Sequence, residues 1–157
     1  MYCFYDSNLL RRHHHRFPPF PLLGGNFLYS EANVQYYGEK ARIYSPFDSP
    51  ANEAGTDMTM ISFWYSMWDG FDGTNWGTLN VYIAYGGEKV PVNPPFWSRS
   101  GSQTDGSGWK EAKIMFTAPS PFRIIFEGVV GEGNRSDIGI DDVMVRQPSR
   151  LYSIVPE

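Results

Sequence analysis

The 157-residue chain has a single cysteine, Cys3, so it can close no disulfide within itself. That is the cysteine usage of a reducing compartment. Charge is sparse as well: charged residues make up 19% of the chain, and 13 Lys and Arg against 17 Asp and Glu leave a net charge of −4. Nucleic-acid binding needs clustered cations to displace counterions, so no nucleic-acid partner is expected. No apolar run approaches the roughly 20 residues of a membrane span, and no transmembrane segment is expected. A signal peptide is missing from the start, where Arg11, Arg12, His13, His14 and His15 stand in place of an apolar stretch. Either the protein stays inside the cell or its natural chain begins upstream of Met1.

All three histidines lie in that run, which leaves none for a Ser-His-Asp arrangement in the remainder. No cysteine or carboxylate is spaced to complete a metal site with them, and they read as a solvated tail. Cys3 falls in an expected tail, where no folded neighbourhood would lower its pKa.

What the chain does have is aromatic residues, 17% of the total, beside 16 glycines and 12 prolines. Aromatic-rich segments broken by Gly and Pro suit short strands joined by turns. Gly24-Gly25 closes a tail, and alternation begins after it. Segments 27–29 and 41–44 read as early strands. In Met58 to Trp68, Ile61, Phe63, Tyr65 and Met67 share one face, and Met60, Ser62, Trp64, Ser66 and Trp68 the other. Leu79, Val81, Ile83 and Tyr85 point one way in the next strand. Residues 88–108 read as a long loop. Trp109 to Thr117, Phe122 to Glu127 and Ile138 to Val145 complete seven strands. With no 3.6-residue pattern, they argue an all-β, antiparallel, jelly-roll-like β-sandwich. The expected core includes Phe63, Tyr65, Leu79, Val81, Ile124, Phe126 and Ile140. Parity breaks once, between Ile140 and Val143, which predicts a bulge or a twist at Asp141-Asp142. The expected organisation is an irregular tail over 1–25, the sandwich over 26–147 and a C-terminal tail over 148–157.

Three blocks of residues resemble the MAM family, the domain shared by meprins, neuropilins and some receptor tyrosine phosphatases. Phe63-Trp64-Tyr65-Ser66-Met67 with Gly70 and Gly77-Thr78-Leu79 is similar to the family's Phe-Trp-Tyr-His-Met…Gly-Thr-Leu block, with Ser66 in the histidine's place. Phe96-Trp97-Ser98, Gly101 and Trp109 form the second block. The third is Phe126-Glu127-Gly128 followed by Asp137-Ile138-Gly139-Ile140-Asp141-Asp142-Val143. The family's opening Cys-x-Phe-Glu strand is matched only faintly, by Cys3-Phe4-Tyr5-Asp6, so the core is expected to lack its first strand. Met60 stands where the family has a cysteine, and 147–152 lack the partner cysteine. The resemblance implies an extracellular or cell-surface adhesion and protein-interaction module without catalysis, part of a larger protein, that engages a cell-surface protein or associates with itself. A carbohydrate-binding jelly-roll module is the alternative, with a glycan as partner, since fold alone does not fix function.

Individual residues sharpen these expectations. Asp137 and Asp141 are candidate ligands of a structural Ca²⁺, a hard cation that takes carboxylate oxygens, with Asp141 facing inward at the bulge and Asp142 in solvent. No cofactor is otherwise required. Asn134-Arg135-Ser136 is a glycosylation sequon in a Gly-rich loop. Trp68 and Trp76 are candidate interface aromatics, whereas the resemblance implies core or loop-packing roles for Trp64, Trp97 and Trp109. Glu127 and Asp141 form the one carboxylate pair to weigh as a glycosidase couple. The resemblance makes Glu127 structural instead.

Overall fold

The computed structural model describes residues 4–6, 27–30, 35–45, 49–52, 58–68, 77–88, 91, 93–104, 108–132 and 137–147. Among them lie nine strands and no helix: β1 (Phe4–Asp6), β2 (Leu28–Ser30), β3 (Lys40–Tyr44), β4 (Thr59–Met67), β5 (Thr78–Tyr85), β6 (Trp97–Ser100), β7 (Lys110–Phe116), β8 (Phe122–Val129) and β9 (Ile138–Arg146). They form two antiparallel sheets, ordered β1-β2-β9-β4-β7 and β3-β8-β5-β6. The neighbours are mostly remote in sequence, which is the mark of a sandwich whose strands cross between layers.

Alternation decides which side chains meet between the layers. From β4 come Ile61, Phe63, Tyr65 and Met67; from β7, Ala112, Ile114 and Phe116; from β9, Ile138 and Ile140. The other sheet contributes Leu79, Val81 and Ile83 from β5, and Phe122, Ile124 and Phe126 from β8. All seven residues expected in the core are buried. Each such aliphatic or aromatic side chain contributes about 1.5–3 kcal/mol on leaving water. The rings of Phe63 and Phe126, one from each sheet, meet edge to face at 5.0 Å.

Two strands were not foreseen. Phe4–Asp6 pairs antiparallel with β2, so part of the expected tail is an edge strand. Within the expected loop, Trp97–Ser100 pairs with β5, and Trp97 reaches Phe63 and Tyr65 at 5.3 Å. The remainder of the two expected tails lies outside the described residues. The parity break is real. Between the pairs Ser62↔Met144 and Trp64↔Asp141, β9 carries one residue more than β4, and Asp142 takes φ 49°. Two residues opposing one is a β-bulge, and it sends Val143 and Val145 back toward the core side.

Candidate functional site

The outer face of the five-stranded sheet holds a patch built by register. Met60 of β4 lies between Met115 of β7 and Arg146 of β9. Next along the strand, Ser62 lies between Lys113 and Met144, and Trp64 between Glu111 and Asp141. Met115 is 56% exposed and Met144 44%, while Met60 and Trp64 are partly buried. Met60, Ser62, Trp64 and Met144 line an open depression of about 640 Å³, with Met115 next to Met60 in register. Charges rim it: Lys113 pairs with Glu111 at 2.7 Å, with Asp142 and Arg146 on the β9 side. Thioethers and an indole inside a charged rim suit a protein surface, because methionine is polarizable and repacks readily. At one end the patch closes over. Small Ser66 and Gly139 leave room there for Phe27 and Tyr29, and the Phe27 ring meets Trp109 at 5.3 Å.

The outer face of the four-stranded sheet is organised differently, around one buried carboxylate. Glu127 Oε2 accepts from Arg42 Nε at 2.7 Å, and Oε1 accepts from Asn80 Nδ2 at 3.1 Å and Tyr82 Oη at 2.9 Å. Lys40 Nζ stands 3.5 Å away. Burial pushes the carboxyl pKa up, but the hydrogen bonds from Asn80, Tyr82 and Arg42 and the Lys40 charge outweigh it and hold the group below its ordinary value. Tyr82 is pushed up to about 12 by burial, by its bond to Glu127 and by that carboxylate's charge, so it stays a donor at neutral pH. Every oxygen of Glu127 is engaged by the protein itself, and the network ties β3, β8 and β5 together. The aromatic residues of these strands' outer face are Tyr44 and Tyr82, and Tyr82 is buried, so among the described residues of these strands no row of exposed aromatics forms.

The sequence candidates distribute as follows. Glu127 and Asp141 lie on the outer faces of opposite sheets, so they form no carboxylate pair across a substrate. Asp141 is not inward-facing: Ile140 before it is buried and the extra residue comes after it, so Asp141 keeps strict alternation and sits beside Trp64. Burial and the neighbouring charge of Asp142 push its pKa up, opposed by a 2.8 Å hydrogen bond from the Asp142 amide. Asp137 is partly buried just before β9, and among the described residues no three His, Cys, Asp or Glu side chains come together as metal ligands. Trp68 is partly buried past the end of β4. Trp76 and Asn134 lie outside the described residues. Trp97 and Trp109 pack as expected, whereas Trp64 faces outward, into the depression. The methionines of the patch were missed, although the alternation of β4 already put Met60 and Trp64 on one face.

Comparison with known proteins adds the family. The description "MAM domain, meprin/A5/mu" matches residues 8–149. The chain is 35% identical to neuropilin-1 of Xenopus laevis over 122 residues, which is 77% of this chain and 12% of that protein. It is 38% identical to the MAM domain-containing glycosylphosphatidylinositol anchor protein 2 of Homo sapiens over 128 residues, 78% of this chain and 13% of the relative. The chain thus spans 12–13% of the length of these curated relatives. Among solved structures, the K1 cleaved adhesin domain of Lys-gingipain from Porphyromonas gingivalis W83 superposes with a TM-score of 0.61 at 9% identity, covering 94% of this chain and 85% of that one. At that identity the likeness is one of fold. The matched span takes in all three sequence blocks and every strand except β1, and on it this chain belongs to the MAM family.

Proposed function

We propose that this chain is an extracellular, non-catalytic interaction module whose contact surface is the outer face of the five-stranded sheet, and that its partner there is a second copy of the same chain. A curated relative named for a glycosylphosphatidylinositol anchor fits a cell-surface setting. The observation that carries the choice of partner is the order of side chains along that face. Arg146 lies beside Met60 at one end, and Asp141 beside Trp64 at the other. Two copies related by a two-fold axis across the strands at Ser62 would set Met60 on the partner's Trp64. The same axis sets Arg146 against the partner's Asp141. Lys113 would meet its own counterpart, each already neutralised by Glu111. Such self-complementarity is what an isologous contact requires.

Analytical ultracentrifugation at rising concentration tests it. The wild type should associate weakly, Arg146→Asp and Asp141→Arg should each stay monomeric, and an equimolar mixture of the two should associate again. Association of each single variant at wild-type strength would remove this face from the contact. A strictly monomeric wild type that binds a sugar on a glycan array would establish the carbohydrate-binding alternative. The sequon at Asn134 is proposed to carry a glycan when the chain passes through the secretory pathway, which glycosidase treatment of secreted protein would reveal as a mass loss.

A further inference from the structure

β2 covers only Ile138, Gly139 and Ile140 of β9, although β9 runs on to Arg146 with β4 on its other side. Among the described residues, none pairs with the β2-side edge of β9 from Asp142 to Arg146. The bulge turns Val143 and Val145 to the core side, and Val145 lies beside the fully buried Ile61. Even so, Val143 is 45% exposed and Val145 38%, with Leu28 and Tyr44 similarly open beside them. With Ile43 and Phe126 they line an almost wholly apolar groove of about 300 Å³ between the end of β9 and the edge strand β3.

Three features of this place specify an occupant. An unpaired ladder edge is satisfied by an extended backbone. An apolar groove beneath it takes every second side chain of that backbone. The carboxylates of Asp141 and Asp142 on the solvent side favour a basic residue among the alternate ones. We propose that the edge of β9 from Asp142 to Arg146 accepts an added β-strand from a protein partner, its apolar side chains entering the groove and its basic ones facing solvent beside Asp141 and Asp142. Main-chain hydrogen bonds then supply affinity and the alternation supplies specificity. The groove lies between the layers, but the edge borders the face proposed for self-association, and Val143 lines both depressions.

An octapeptide of alternating valine and lysine is the probe, with two controls. One has the same composition in two blocks; the other is N-methylated at every second amide on its ladder side. By NMR titration of the full chain, the alternating peptide should shift the amides of Val143, Val145 and Ile43. Both controls should bind at least about tenfold more weakly, a difference of about 1.4 kcal/mol. Val145→Lys should abolish the shifts while the melting temperature stays near that of the wild type. If that variant fails to fold, the N-methylated peptide on wild-type protein still decides. Equal binding of all three peptides, as from charge attraction alone, would overturn the proposal, and so would shifts confined to other residues.

Discussion

Arg42 and Glu127 stand directly opposite each other on β3 and β8, and Arg42 Nη2 comes within 2.6 Å of Glu127 Oε2. The Glu127 side chain is almost wholly buried while that of Arg42 is about a quarter exposed, so the pair differs from a surface ion pair in what its loss leaves behind. Arg42→Met should cost about 2–3 kcal/mol, below the full penalty of an unpaired buried charge, because Asn80, Tyr82 and Lys40 remain.

The same network carries an acid dependence. A folded-state pKa below the ordinary 4.5 means the stabilisation is present above that value and is lost as pH falls through the depressed one. Glu127→Gln should therefore melt below the wild type at pH 7, and the gap should narrow in acid. Melting curves from pH 7 down to about pH 2 check this, and a gap that stays constant would detach Glu127 from the acid limb.

Phe126 is the core position to test. It is 4% exposed, and its ring packs against Phe63 of the facing sheet. Phe126→Ala should cost about 3–5 kcal/mol through lost transfer energy and a cavity. Urea unfolding should show it as a lower midpoint with little change in slope.

Most of this sandwich was legible because its long strands alternate: β7 buries one face only, and β5 and β8, though buried on both, carry Asn80 and Glu127 on the outer one. In β4, β5, β7 and β8 the alternation of apolar and polar residues states both the element and its inner side, and the parity slip in β9 announced the bulge. β1 and β6, at three and four residues, are too short to show a period, and unlike the equally short β2 neither directly follows a breaker such as Gly24-Gly25. Of β6, Trp97-Ser98-Arg99-Ser100, only Trp97 contributes to the core. The outer patch escaped because its members come from three strands that meet only through pairing. Met60, Met115 and Met144 are unremarkable until register puts them side by side.

Asp142 reports on the bulge. Its φ of 49° lies in the left-handed region, where a side chain with a branched β-carbon is strained. Asp142→Val should cost about 1–2 kcal/mol, while Asp142→Gly should be neutral or stabilising by less than about 1 kcal/mol. Equal melting temperatures for the two variants would show that the backbone there relaxes freely.

Asp141 allows a test of charge and cation together. Its folded-state pKa is raised, first by burial beside Trp64 and then by Asp142, so ionising it above its ordinary value of 3.8 weakens the fold. The sign follows: its contribution is fully present below the unfolded pKa and is lost as pH rises through the folded one. Asp141→Asn keeps an oxygen for the Asp142 amide and removes the charge. In the absence of calcium it should melt above the wild type at pH 7, and the difference should disappear in acid where both are neutral. Calcium is the proposed second route to the same relief, held by Asp141 without Asp137, which stands about 13 Å back along the extended chain. Adding it should raise the wild-type melting temperature by an amount set by its concentration relative to Kd, and Asp141→Asn should abolish that rise. A rise of the same size in both proteins would place the ion elsewhere, and the acidic end of β9 would then act only through the repulsion of its two neighbouring charges.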